Sequence, residues 1–326
     1  GVTGVQTCAL PISYWIILCC LLYQAVSPTH CFGSVFDASA LSKDDPRVKF
    51  GKLELSRRSI NQVVGTFSKF SELKAINLSL NYLTEVGKEF IGCSALYHLD
   101  LSGNEISYCT TQAFKDLKNL ISLRLSKNKL FNLEPYIFTD CARLKTLQLE
   151  NNFISAVEEY TFAGLNNLDT LDIGYNAIST IDSGSFKELP MLRLLNMTNN
   201  NLTKVETDTF AGLNNLKEIH MKNNFISELE ASTFRQLASL ETIILTNNQI
   251  TFCNSSTFAG LRNLLELDLS YNSLRVLETS MFMECQLLNT LNFMGNQMSR
   301  IKGRAGRKNF KLIEIDLSYN KLRSEE

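Results

Sequence analysis

From Phe50 to Leu322 one pattern of apolar residues recurs every 24 residues, shortened to 23 in the first two units. Units open at Phe50, Leu73, Leu96 and Leu120, and then at every 24th residue to Leu312. Within a unit the apolar residues fall at positions 1, 4, 6, 11 and 14, as in Leu120, Leu123, Leu125, Leu130 and Leu133. Asn occupies position 9 from Asn81 to Asn320, and Phe occupies position 19 in eight successive units from Phe114 to Phe282. A unit of this size cannot bury its own apolar face, so the units must stack on one another.

Alternation at positions 4 and 6 makes a short strand with inward Leu side chains, while positions 3, 5 and 7 point outward. Each strand then adds to a parallel sheet as the units stack. At position 9 the chain turns inward, where a buried Asn amide satisfies backbone groups that would otherwise be stranded. The Phe column fills the back of each coil as an apolar spine, contributing about 1.5–3 kcal/mol per buried ring. Both columns read as structural, and no cofactor is expected. Length alone, 326 residues, suggests two compact domains, but the repeat replaces that expectation with one elongated solenoid. Low Gly (16) and Pro (5) fits short uniform turns and excludes a collagen-like or Pro/Gly-rich disordered chain. A formal net charge of −1 argues against a nucleic-acid partner.

The series Leu-x-x-Leu-x-Leu-x-x-Asn-x-Leu, as it stands from Leu120 to Leu130, resembles the leucine-rich repeat motif. The resemblance covers residues 50–322, twelve units with the last incomplete. It implies an α/β repeat fold: a right-handed horseshoe solenoid with a concave parallel β-sheet and an irregular or short-helical convex side. The 24-residue length with a Phe spine is similar to the extracellular branch of the family, found in Toll-type receptors and Slit-like proteins. That implies a protein ligand or receptor as partner, with an adhesion or matrix protein of structural role as the alternative. Arg58 stands where the first unit should have Asn, as suits a capping unit. With Cys8, in residues 1–12, and Cys19 and Cys20, in the apolar run, set aside, only Cys31 precedes the repeats, so the family's usual N-terminal cysteine cluster is absent. The unit opening at Leu288 has Gly306 and Asn309 in place of its Phe and second Leu.

The two ends read differently. Residues 1–12 look like an in-frame translation of a sequencing-library adapter, and 323–326 resemble the complementary adapter. Residues 13–31 read as a truncated signal peptide, since the ten apolar residues Tyr14–Tyr23 are too few to span a bilayer, which needs about 20. Residues 32–49 form an N-terminal flank or cap. Soluble or membrane-anchored attachment stays open. Secretion agrees with glycosylation sequons at Asn77, Asn196, Asn201 and Asn254. Asn77 and Asn196 fall at position 5, on the concave face, and Asn201 and Asn254 on turns. Cys109 and Cys253 occupy position 14, and Cys141 and Cys285 position 22 of the following unit. They read first as small buried hydrophobes, alternatively as two equivalent bridges, Cys109–Cys141 and Cys253–Cys285.

Catalysis has little footing, and the chain reads as a non-enzyme. His98 and His220 lie five strands apart, about 24 Å, with no nucleophile motif near either. The concave face is the candidate site. The units opening at Leu264, Leu288 and Leu312 place Glu266, Asp268, Tyr271, Met294, Asp316 and Tyr319 there with no base at positions 3, 5, 7 or 8, and Ile244 adjoins them. One-signed charge with Tyr and Met suits a protein interface. A basic cluster, Arg300, Lys302, Arg304, Arg307, Lys308 and Lys311, suggests a glycan or glycosaminoglycan contact.

Overall fold

The structure, a computed structural model, describes residues 33–42, 44–303 and 311–323. The chain divides into two compact units, Gly1–Gly33 and Ser34–Glu326. All described residues but Gly33 belong to the second. The expected adapter segment 1–12, residues 324–326 of the expected adapter tail 323–326, the signal run, and Arg304, Arg307 and Lys308 lie outside the described residues.

The repeat folds as a solenoid. Three-residue strands, one per unit from Lys52–Glu54 to Glu314–Asp316, pair in parallel and in register, and with Val48–Lys49 they form a 13-stranded sheet. The middle residue of each strand but the last, such as Leu123 or Leu147, is buried and its neighbours face outward; Ile315, in the final strand, is exposed. On the opposite side the chain makes two- and three-residue parallel pairs, such as Ala156–Val157 with Thr180–Ile181, and short 3-10 turns.

Position 9 is a hydrogen-bond hub. Asn128 Nδ2 donates to Leu101 O (3.0 Å) in the preceding unit and to Leu125 O (2.9 Å) in its own. Its Oδ1 accepts from Ile106 N–H at 3.0 Å. The same triad recurs at Asn152, Asn200, Asn248 and Asn296.

The Phe spine is longer than position 19 predicts. Phe67 and Phe90, at position 18 of the two 23-residue units, are also buried and stack at 5.8 Å. Phe36, on the strand Ser34–Asp37, adds to its beginning, 6.2 Å from Phe67. At the other end Phe293 lies tilted against Phe282 in place of the missing Phe. One expectation is corrected: Phe50 does not open a unit as a core residue but is 99% exposed. It sits with Gly51 in the two-residue turn joining Val48–Lys49 antiparallel to Lys52–Glu54, both at positive φ. A hairpin strand therefore covers the first edge of the sheet, where an exposed strand edge would invite pairing.

Units also alternate in pairs. Position 21 has positive φ at Asp116, Gly164, Gly212 and Gly260, two units apart each time. At three of the four the backbone N–H donates to an acidic side chain at the same position of the next unit, to Asp140 from Asp116, to Glu188 from Gly164 and to Glu284 from Gly260. A Cβ at Gly212 would stand 2.5 Å from Lys187 Cα. The sequence Thr-Phe-Ala-Gly-Leu, which recurs at 161–165, 209–213 and 257–261, thus marks a joint repeated every second unit.

Candidate binding face

The register of the sheet turns sequence positions into rows. His220, Ile244, Asp268, Asn292 and Asp316 face one another across successive strands, as do Glu218, Thr242, Glu266, Thr290 and Glu314. Adjacent strands are about 4.8 Å apart, so Ile244, Glu266, Asp268 and Asp316 fall within one patch. Asp268 is held: Oδ1 accepts from Ser270 N–H (2.8 Å) and Oδ2 from Asn292 Nδ2 (3.2 Å). Asp316 is more open, and the Ser318 hydroxyl and amide hold its carboxyl below the usual range. Tyr271 and Met294 meet directly, the Tyr hydroxyl donating to Sδ at 3.7 Å. Tyr319 is 78% exposed.

Sequence reasoning missed a second acidic group in the middle of the face. Glu150, at position 7, has a buried Oε2 with no hydrogen-bond partner, and burial, with Asp172 nearby, pushes its carboxyl up. Asp172 accepts from Asn196 Nδ2 at 3.1 Å on both oxygens and from Gly174 N–H. Gly174, where neighbouring units carry a side chain, was the available signal.

The sequons differ in freedom. The Asn77 and Asn196 amides donate to Glu54 and Asp172 carboxylates, so the nitrogen that a glycan needs is engaged at both. Asn201 Nδ2 makes only a 3.4 Å contact with Ala177 O. Asn254 uses its oxygen, accepting from Ser256 N–H.

The bridged-cysteine alternative is corrected. Cys109, Cys141, Cys253 and Cys285 are free and buried, as is Cys93. Each fills its own column as a small hydrophobe; the Cys141 and Cys285 thiols donate to Phe114 O and Phe258 O one unit back. Burial pushes Cys109, Cys141, Cys253 and Cys285 up to about 12.

Of the basic cluster, Arg300 and Lys302 lie on a strand paired with Val276–Glu278, and Lys302 is 4.0 Å from Glu278. His220 approaches Glu218 at 3.6 Å. Among the described residues no His, Cys and carboxylate group is arranged to hold a metal, and no helix is long and apolar enough to cross a membrane.

The leucine rich repeat family model matches residues 52–106, 109–154, 142–202, 195–250 and 238–298. Human leucine-rich repeat-containing protein 66 is 34% identical over 84 residues, 26% of this chain and 10% of that protein, so the chain matches a tenth of its relative's length. The chain is similar to one in the octameric complex of Latrophilin 3, Unc5D and the leucine-rich repeats of FLRT2, with a TM-score of 0.66, 27% identity and 76% of each chain covered. It shares its fold with TLR13 in a complex with ssRNA13 (TM-score 0.63, 23% identity, 83% of this chain and 47% of that one). The same holds for a leucine-rich-repeat protein of Leptospira interrogans (0.59, 21%, 84% and 86%). The sequence expectation that nucleic acid is not a partner rests on charge alone; one of these folds is seen with RNA.

Proposed function

Because the chain belongs to the leucine-rich-repeat family, whose solenoid is a protein-binding scaffold, we propose that it is a receptor-like extracellular recognition module. Its ligand is a protein with a basic surface, bound on the late concave face. The observation that carries this is the pair of outward rows on the last three described strands. There Glu266, Asp268, Glu314 and Asp316 stand in register with Thr290 and Asn292, and on these three strands no base occupies either row. Such a field steers a basic partner and weakens with salt. Extracellular location is supported by the apolar run Tyr14–Tyr23, the four sequons and the likeness to the FLRT2 complex. The test is the double reversal Asp268→Lys, Asp316→Lys, with binding to surface-captured partners measured across a salt series. The expected result is slower association and a flatter salt dependence. Unchanged association would overturn the reading.

A further inference from the structure

Position 8, the residue just past each strand, forms a second kind of row. In five successive units it reads Tyr175, Asn199, Asn223, Asn247 and Tyr271. All five have φ between 53° and 56°. Each backbone N–H donates to the position-7 carbonyl of the next unit, at 2.7–2.9 Å, so the row is locked to the sheet. Its three amides are also locked to each other. Asn223 Nδ2 donates to Asn199 Oδ1 (3.0 Å), and Asn247 Nδ2 to Asn223 Oδ1 (2.8 Å). A primary amide has two N–H donors, so every rung keeps at least one in hand. Among the described residues the Asn199 nitrogen and the Asn247 oxygen have no protein partner at all. The tyrosines at the two ends are half exposed, 54% and 50%. Tyr271 lies over Gly295, where a Cβ would come within 2.8 Å of its ring. The glycine makes room for an aromatic platform supported from below.

We propose that this row is a binding track for a linear, uncharged β-1,4-linked oligosaccharide. The chemistry is that of sugar recognition: fixed, neutral amide donors and acceptors for hydroxyls, with an aromatic ring at each end for the apolar face of a pyranose. No charged side chain belongs to the row, so its chemistry differs from that of the adjoining acidic patch, with which it shares Tyr271. The pitch also discriminates. Rungs recur at about 4.8 Å, the strand spacing, and the tyrosines are about 19 Å apart over four steps. An extended peptide advances about 3.3 Å per residue, so its amides fall out of step with the ladder. Successive rings of a β-1,4-linked glycan advance by nearly one rung each.

The test is calorimetric titration of the 326-residue chain with hexamers and dimers of β-1,4-linked glucose and of β-1,4-linked N-acetylglucosamine. At least one hexamer is expected to bind saturably, and its dimer, too short to reach both tyrosines, more weakly. Tyr175→Ala and Tyr271→Ala should each weaken the hexamer roughly three- to tenfold, the loss of one aromatic contact. Asn223→Leu, checked for native circular dichroism, should weaken it too by cutting the ladder. Asp268→Lys should leave it unchanged, so the fate of the protein-binding reading is scored separately. The proposal is overturned if neither hexamer binds at millimolar concentration, if the dimer binds as tightly, or if both tyrosine variants bind like wild type.

Discussion

Removing one position-9 amide tests the hydrogen-bond account of the solenoid. In Asn128→Ala the lost partners are not equivalent. Leu101 O keeps the Asn104 amide (2.9 Å), and Leu125 O keeps the Asn152 amide (3.0 Å). Ile106 N–H has only Asn128 Oδ1 and is left buried and unpaired. An orphaned buried donor costs about 1–3 kcal/mol, and each of the two weakened carbonyls adds about 0.5–1.5, so roughly 2–6 kcal/mol is expected in all. Asn119→Ala is the control. Asn119 also reaches one unit back, donating to Ser94 O at 2.8 Å, but at the exposed surface. Water replaces that bond, and the cost should stay under about 1 kcal/mol. Native-state hydrogen exchange is the assay, because a repeat array need not unfold in two states. The Ile106 amide should lose protection in Asn128→Ala, while Ile154, bonded to Asn176 two units on, keeps it. Equal destabilisation by the two variants, or an Ile106 amide as slow as in wild type, would refute the reasoning.

Other outcomes follow from the same packing. Phe186→Ala, which removes a fully buried ring stacked 5.9 Å from Phe162, should cost about 3–5 kcal/mol in denaturant titration. Gly212→Ala forces a Cβ onto Lys187 backbone at φ +93°, whereas Gly184→Ala at φ +76° meets only a flexible Lys187 Cδ at 3.6 Å; the first should lower the thermal midpoint clearly more than the second. The buried thiols should resist alkylation until the chain unfolds. Their raised values mean that the native state holds protons the unfolded chain releases, so stability is full below about pH 9 and is lost as pH rises towards about 12. In glycopeptide mass spectrometry of secreted protein, Asn201 and Asn254 should carry more glycan than Asn77 and Asn196, whose amides are tied to carboxylates.

Much of this was legible because position in a fixed repeat is position in space. Asn81 to Asn320 and Phe114 to Phe282 lie in columns, and their neighbours follow from the period alone. The misses come where the period does not decide. Phe50 fits the spacing of an opening residue, yet a hairpin needs a tip, and Gly51 beside it was the cue. Phe67 and Phe90 fell out of the count because a shortened unit moves the ring by one position. The Cys pairs share a constant separation, but spacing does not say which way a thiol points. Ile244, Asp268 and Asp316 all stand at position 5 of their units, and the register of the sheet sets that position in one row. Glu150 was passed over, because a buried carboxylate oxygen without a partner depends on how far a particular side chain sinks between its neighbours.

Each position-9 Asn serves the unit before it: its oxygen takes an N–H and its nitrogen caps a carbonyl on the preceding coil. Cohesion in this chain therefore has a direction. A newly inserted coil meets an unmet need already waiting on the coil that precedes it, and satisfies it by carrying one correctly spaced Asn. It brings the same need to the next. Lengthening such a gene by copying whole coils thus leaves every joint intact, and the outward rows, which take no part in the joints, are left free to diverge.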